Sequence, residues 1–267
     1  MQEQQLKEKV KERYGKIALT SNSDCSCSCC CAPEGKSAKN GSSPTQSATA
    51  VGYDIKDVGS IPEASIFGVG CGVPTKFANI RQGEVVVDLG SGAGIDVFLS
   101  ANQVGKSGKV IGIDMTGEML EKARKNAKDN GYTNVEFRKG DIEKRIPVED
   151  NAADLVISNC VINLTTYKVA TFKEIYRILK NDGGGRMVIS DLVTDREIDR
   201  NLVNPEKWCS CIDGALTKQN YLDSIRKAGF KNVEVLEERA YIDDQVDDAD
   251  KDKRRKISSL IIKAVKD

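Results

Sequence analysis

The chain has 267 residues, 39% hydrophobic and 30% charged, with 40 Lys and Arg against 40 Asp and Glu and no histidine. That is enough for one large domain with an appended segment, and a formal charge of zero gives no general attraction to nucleic acid or an anionic membrane. Without histidine, Ser–His–Asp and Cys–His catalysis are excluded, as is any zinc site that needs imidazole.

Residues 1–19 carry Leu6, Val10, Tyr14 and Ile17 at spacings of four and three between Lys and Glu, which predicts a short helix. The start of the chain lacks the apolar run of a secretory signal, and no later segment approaches the length of a membrane span, so a cytoplasmic protein is expected. In that compartment nine cysteines read as metal-binding, catalytic or redox-active rather than disulfide-forming. Five of them cluster at Cys25, Cys27, Cys29, Cys30 and Cys31, ahead of a Gly/Ser/Ala/Thr/Pro stretch ending near Ala50. That stretch reads as a flexible linker, which places an N-terminal segment at 1–50 and the domain at 51–267. Ser60-Ile-Pro-Glu63 has the pattern of a helix start with proline in its first turn.

From residue 84 the order becomes strand, glycine turn, helix, strand. Apolar runs at 85–89, 109–114, 134–138, 153–158 and 186–190 predict buried strands, with helices to about Val104, over 117–130 and over 168–179 between them. A helix over 218–228 and strands at 233–236 and 259–265 close the chain, with residues 200–267 forming its C-terminal part and an acidic loop at 243–252. The alternation predicts an α/β fold with an open, doubly wound, mostly parallel sheet and its core at 84–191.

Asp88-Leu-Gly-Ser-Gly-Ala-Gly94 lies between the first strand and its helix, where glycines allow a tight turn and close approach of a nucleotide. Asp114 ends the second strand, twenty residues after Gly94, where a carboxylate accepts from ribose hydroxyls. The opening acid and the glycine spacing depart from the Gly-x-Gly-x-x-Gly dinucleotide form. The plainer alternative is a packing turn and a solvated aspartate. Together with Asp114-Met115, Gly140-Asp141-Ile142 and Leu179-Lys-x-x-Gly-Gly, residues 84–191 resemble class I S-adenosylmethionine-dependent methyltransferases. The resemblance implies a seven-stranded Rossmann-like sheet whose last strand is antiparallel. It also implies a cofactor site of Asp88, Gly90, Ser91, Gly92, Gly94, Asp114, Met115, Asp141, Ile142 and Asn159. In it Asp114 holds the ribose, Met115 packs on adenine, Asp141 meets the adenine amino group, and the glycine turn lies under the methionine moiety.

Cys71, Cys160 and Cys211 sit in loops bordering that pocket, Cys160 directly at the carboxyl end of a strand, where open sheets bind ligands. A buried free cysteine is common in cores. Three thiols reaching one pocket suit a soft, three-coordinate centre that prefers sulfur. Gly68–Pro74, Ile157–Leu164 and Cys211–Leu216 resemble segments of the arsenite methyltransferase family, with Val73 where asparagine is usual and Asp213 replacing a small residue. Asp213 is expected to place a negative charge beside the third thiol, and Cys209 remains an alternative to Cys211. Tyr14–Ala18 with the Cys25–Cys31 cluster also matches the family, either as an arsenite-capturing segment or as a tail with exposed thiols. Trp208 is expected to cover the site or simply to pack.

The resemblance implies methyl transfer from S-adenosylmethionine to arsenite or methylarsenite bound as a thiol adduct by Cys71, Cys160 and Cys211. Glutathione or thioredoxin would act as external reductant, the purpose would be arsenic detoxification, and the enzyme would be monomeric. The rival readings are a quinone- or sterol-type carbon methyltransferase with incidental cysteines, and a thiol protein that sequesters arsenic or metal on an inactive scaffold.

Overall fold

In the computed structural model the described residues are 3–19, 43–181, 183–199, 203–241 and 255–267. The Cys25–Cys31 cluster, the first part of the expected linker and the acidic loop at 243–252 lie outside them. The apolar runs form strands β1 (Val85–Leu89), β2 (Lys109–Asp114), β3 (Val135–Lys139), β4 (Leu155–Asn159) and β5 (Arg186–Thr194), joined by β6 (Asn232–Tyr241) and β7 (Ile257–Val265). One sheet results, ordered β3-β2-β1-β4-β5-β7-β6. The first five strands run parallel, and β7 runs antiparallel to both β5 and β6. Strand order reverses between β1 and β4, which opens a crevice at their carboxyl ends.

Helices cover both faces: α1 (Glu3–Leu19), α2 (Pro44–Val51), α3 (Ile55–Val58), α4 (Pro74–Phe77), α5 (Ile95–Val104), α6 (Gly117–Asp129), α7 (Lys168–Ile178), α8 (Pro205–Cys209) and α9 (Lys218–Lys227). Val87, Leu89, Ile113, Val156, Phe172, Ile175, Met187 and Tyr221 fill one side of the sheet. Val86, Val97, Phe98, Val110, Leu120, Leu155 and Val188 fill the other. This two-sided burial is why the central strands read as continuous apolar runs.

Three expectations need correction. The stretch taken as linker up to Ala50 ends in α2, whose capping box joins Ser43 and Gln46 at 2.8 and 3.2 Å and whose Ala48 and Val51 are buried. The domain therefore starts before residue 51, because a capped turn with two core contacts outweighs a low-complexity composition. Nor does α1 stand apart. Its Leu6 and Val10 pack with Cys71, Leu192, Trp208 and Cys211, and its Ile17 and Ala18 with Phe67, Ala93 and Met119. At Ser60-Ile-Pro-Glu63 there is only one 3-10 turn, Glu63–Ser65, with no side-chain cap; the Ser60 hydroxyl instead donates to the Asp57 carbonyl at 2.7 Å.

Candidate active site

The pocket lies at the carboxyl ends of β1, β2 and β4. Gly90, Gly92 and Gly94 all take positive φ, at 69°, 52° and 104°, a region that L side chains rarely adopt. The turn is pinned by Gly90 N–H and Ser91 N–H, which donate to the Ile113 carbonyl at 2.7 and 3.0 Å. A Cβ on Gly90 would meet Val161 at 2.4 Å, so the backbone itself forms the floor there. Asp114 accepts from Gly92 N–H at 2.9 Å and from Thr116 N–H at 2.8 Å, and it lines the pocket. Burial pushes its pKa up, opposed by those backbone donors. Met115, Ile142 and Ser91 line the same pocket.

Beneath the turn lies a buried acidic pair, the expected Asp88 and Asp96, which did not stand out in the sequence. Burial, then the Asp96 and Asp114 charges, hold the Asp88 carboxyl well above the usual carboxylate range. Burial pushes Asp96 up to about 6, opposed by bonds from Tyr53 and Asn159. Tyr53 O–H reaches both Asp96 oxygens at 3.0 and 2.9 Å. Asn159 lines the pocket as expected, but its amide is spent inside the protein. Nδ2 donates to Tyr53 Oη at 2.9 Å and to the Gly72 carbonyl at 2.8 Å, and Oδ1 accepts from Cys71 N–H at 3.1 Å. It ties the Cys71 loop to β4 rather than offering free groups to a ligand.

That tie explains Gly70-Cys71-Gly72. A Cβ on Gly70 would strike the Asn159 side chain at 2.8 Å, and one on Gly72 would strike Ser190 Oγ at 2.3 Å. The Cys71 carbonyl accepts from Ser259 Oγ at 2.6 Å, and its sulfur lies 3.4 Å from Ser190 Oγ. Cys160 takes φ 59° and donates its N–H to the Ser190 carbonyl at 2.8 Å. Cys211 takes φ 67° just past α8, and its thiol donates to the Cys160 carbonyl at 2.9 Å. Of the four non-glycine residues with positive φ among the described residues, two are asparagines and the other two are these cysteines of one cluster, a conformation that is strained for a side chain of this type.

The Cys71 and Cys160 sulfurs lie within 4.8 Å of each other, and the Cys211 thiol reaches the Cys160 backbone. Hydrogen bonds with Cys211 and Cys71, then burial, hold the Cys160 thiol well above its usual range. At Cys211 the bond with Cys160 lowers the pKa, but burial and the Asp191 and Cys71 charges outweigh it. Cys209 sits apart on α8, its carbonyl accepting from Tyr14 O–H at 3.3 Å and its thiol pushed by burial to about 11. Asp213 does not act on the third thiol as expected. Its carboxylate pairs with the Arg255 guanidinium and accepts from Asn204 N–H at 2.8 Å, so its charge is compensated within the protein. Trp208 is buried in the same apolar cluster, its indole N–H donating to the Leu164 carbonyl at 3.2 Å.

Behind the thiols lies Asp191, whose carboxylate and the sulfurs of Cys71 and Cys160 lie within 4.8 Å of one another. It accepts from Asn163 N–H, Leu192 N–H and Tyr221 O–H, each at 3.0 Å. Burial raises Asp191 to about 6 and lowers Lys168 to about 8, and each feels the other's charge. Between those values both are ionised. Lys168→Met is expected to destabilise the fold by roughly 3 kcal/mol by stranding a buried carboxylate. The loss should be larger near pH 7.5 than near pH 5, where the Asp191 proton removes the uncompensated charge. Urea unfolding at both pH values checks this; an equal loss at both would refute it.

Just past β3, Lys7 of α1 places Nζ 2.8 Å from Asp141 Oδ2 and 2.7 Å from Glu143 Oε2. Neither Lys7 nor Glu143 stood out in the sequence.

Residues 80–229 match the model of a methyltransferase domain family. The chain is 40% identical to the arsenite methyltransferase of Halobacterium salinarum, over 98% of this chain and 67% of that protein. It is 37% identical to the arsenite methyltransferase of Aquipseudomonas alcaligenes, over 67% of this chain and 52% of that protein. The X-ray structure of an arsenic(III) S-adenosylmethionine methyltransferase from Chlamydomonas reinhardtii superposes with a TM-score of 0.64 at 34% identity, covering 82% of this chain and 72% of that one. The chain thus spans about two-thirds of one curated relative and about half of the other. With matches of this extent on a class I methyltransferase sheet, the chain belongs to the arsenite methyltransferase family of S-adenosylmethionine-dependent enzymes.

Proposed function

We propose that this chain methylates trivalent arsenic held by the thiolates of Cys71, Cys160 and Cys211, with S-adenosylmethionine as methyl donor. One observation carries the reading: cysteines from three distant segments converge, the Cys71 and Cys160 sulfurs within 4.8 Å of each other and the Cys211 thiol on the Cys160 carbonyl, and Cys160 lines the glycine-floored pocket. Three sulfurs without imidazole suit a soft, three-coordinate centre. The quinone-type reading leaves this convergence and the two strained cysteine backbones without a cause.

The pocket fits the donor: the Gly90 floor admits no side chain, and the Asp114 carboxylate lines the pocket as an acceptor for a ribose. Bound there, S-adenosylmethionine supplies an electrophilic methyl group. The cysteines do the rest. Each exchanges onto arsenite, and the three thiol protons leave with the displaced arsenic hydroxyls as water, or with displaced thiols from an adduct. With three sulfurs attached, arsenic keeps one lone pair. Cys160 at the pocket wall, with Cys71 and Cys211 behind it, aims that pair at the donor. Catalysis is then orientation and proximity rather than proton transfer, so no histidine is needed. Each transfer spends the lone pair, so an external thiol reductant such as glutathione or thioredoxin must return two electrons before the next. Methylarsenite is then a second substrate, and detoxification of arsenic in a reducing cytoplasm is the role this chemistry serves. No helix among the described residues is long and apolar enough to cross a membrane.

Product analysis tests the proposal. Purified protein incubated with arsenite, S-adenosylmethionine and excess reduced thiol is expected to yield mono- and dimethylated arsenic. Protein that binds S-adenosylhomocysteine but forms no methylated arsenic would move the substrate to another small molecule.

A further inference from the structure

The first helix reaches both halves of the site. At one end Lys7 bridges Asp141 and Glu143, just past β3. Further along, Tyr14 O–H donates to the Cys209 carbonyl and Arg13 pairs with Glu206 at 3.3 Å, both on α8, the helix that leads into Cys211. Between them Val10 and Tyr14 form pocket wall. Helix α1 thus spans from the adenine end to the thiol end.

The Lys7 contact solves an electrostatic problem. Asp141 and Glu143 are two residues apart at the mouth of the pocket, and two such carboxylates repel. Burial pushes both up, yet Lys7 together with the Glu143 N–H at Asp141 and the Thr166 hydroxyl at Glu143 outweighs it, and both lie below the usual carboxylate range. Each acid is also held by the protein: Asp141 Oδ1 accepts from Glu143 N–H at 3.1 Å, and Glu143 Oε1 accepts from Thr166 O–H at 2.6 Å. Lys7 Nζ therefore binds a fixed pair of anions and sets the rotamer of Asp141.

We infer that Lys7 is a positioning residue for the methyl donor: by bridging Asp141 and Glu143 it presents Asp141 to the adenine amino group and draws α1 down as the roof of the pocket. This deepens the proposed function and rests on Asp141 lying at the adenine. Lys7 makes no bond to the reacting atoms. It acts through Asp141 and through the wall residues of α1, so its loss should loosen the donor rather than slow the chemistry.

The test is S-adenosylhomocysteine binding by stopped flow and calorimetry, with steady-state kinetics, on the full chain and on Lys7→Met, Lys7→Arg and Glu143→Gln. In Lys7→Met the dissociation constant should rise about tenfold, mainly through faster dissociation, as expected for losing a charge-assisted contact on a ligand-facing carboxylate. KM for S-adenosylmethionine should rise by a similar factor while kcat falls no more than about threefold. Lys7→Arg, which keeps the charge, should bind within about threefold of the parent. A parent chain that does not bind S-adenosylhomocysteine would overturn the cofactor site itself. A parent that binds, with Lys7→Met within about twofold of it, would overturn only the role of Lys7. So would a Lys7→Met protein of lower melting temperature whose ligand-induced increment is unchanged, since that marks a purely structural contact. If Lys7→Met does not fold, Glu143→Gln removes one arm of the bridge from the other side. It should weaken binding about threefold; unchanged affinity there would equally refute the inference.

Discussion

Cys160→Ser is expected to lower arsenic methylation by more than about a hundredfold while leaving S-adenosylhomocysteine affinity within about threefold, because misplacing a reacting atom by an ångström already costs that much. Serine keeps the size of the side chain and the N–H bond to the Ser190 carbonyl. What disappears is a soft ligand: a hydroxyl is a poor ligand for a thiophilic centre and does not ionise near neutral pH. The left-handed backbone at Cys160 is as strained for serine as for cysteine, so the change does not relax the loop. Cys71→Ser should behave alike, since its carbonyl and N–H are clamped by Ser259 and Asn159 independently of the sulfur. Cys209→Ser is the matched control. It removes a buried thiol two residues from Cys211 in sequence but outside the thiol cluster, and activity should stay within about threefold once about 1 kcal/mol of stability is allowed for. Speciation of arsenic products, beside calorimetry with S-adenosylhomocysteine, separates these outcomes. Methylation retained in both Cys160→Ser and Cys71→Ser would refute the ligand set.

The features legible in the sequence were those whose cause is local. Val85–Leu89 and Leu155–Asn159 read as strands because both faces are buried, and Gly90, Gly92 and Gly94 read as a turn because their φ values demand glycine. The capping box at Ser43 and Gln46 was equally local, and composition hid it. Strand β6 was read short because its exposed, glutamate-rich outer half lacks an apolar run. What could not be read depends on long-range placement. Cys209 and Cys211 are indistinguishable as letters; the left-handed turn after α8 sends one toward Cys160 and leaves the other under α1. Asp213 looked like an electrostatic fault because Arg255, forty-two positions away, is invisible to a local reading. Lys7 lies in a helix crowded with Lys and Glu, where a functional cation looks like any solvated one. Asp96 opens a helix and so resembles an ordinary first-turn acid until Tyr53 and Asn159 are seen closing over it.

Asp114→Ala is expected to weaken S-adenosylhomocysteine binding by at least about a hundredfold, because two functions leave together. In the proposed site its carboxylate accepts from the ribose, and hydrogen bonds to charged groups contribute roughly 1.5–3 kcal/mol each. It is also the acceptor for Gly92 N–H, so its removal frees the middle of the turn that forms the pocket floor. Asp114→Asn keeps one carbonyl oxygen and should fall between alanine and the parent. The thiol cluster does not touch Asp114, so arsenite binding should persist, and the chain carries its own reporter: Trp208, the one tryptophan, is buried among Cys71, Cys209 and Cys211. Its fluorescence is expected to respond to arsenite in Asp114→Ala as in the parent, and to lose that response in Cys160→Ser. Two variants with opposite losses would show that donor and arsenic occupy separable halves of one site. If Asp114→Ala bound S-adenosylhomocysteine as tightly as the parent, the ribose would lie elsewhere, and the alignment of lone pair and methyl group through Cys160 would have to be redrawn.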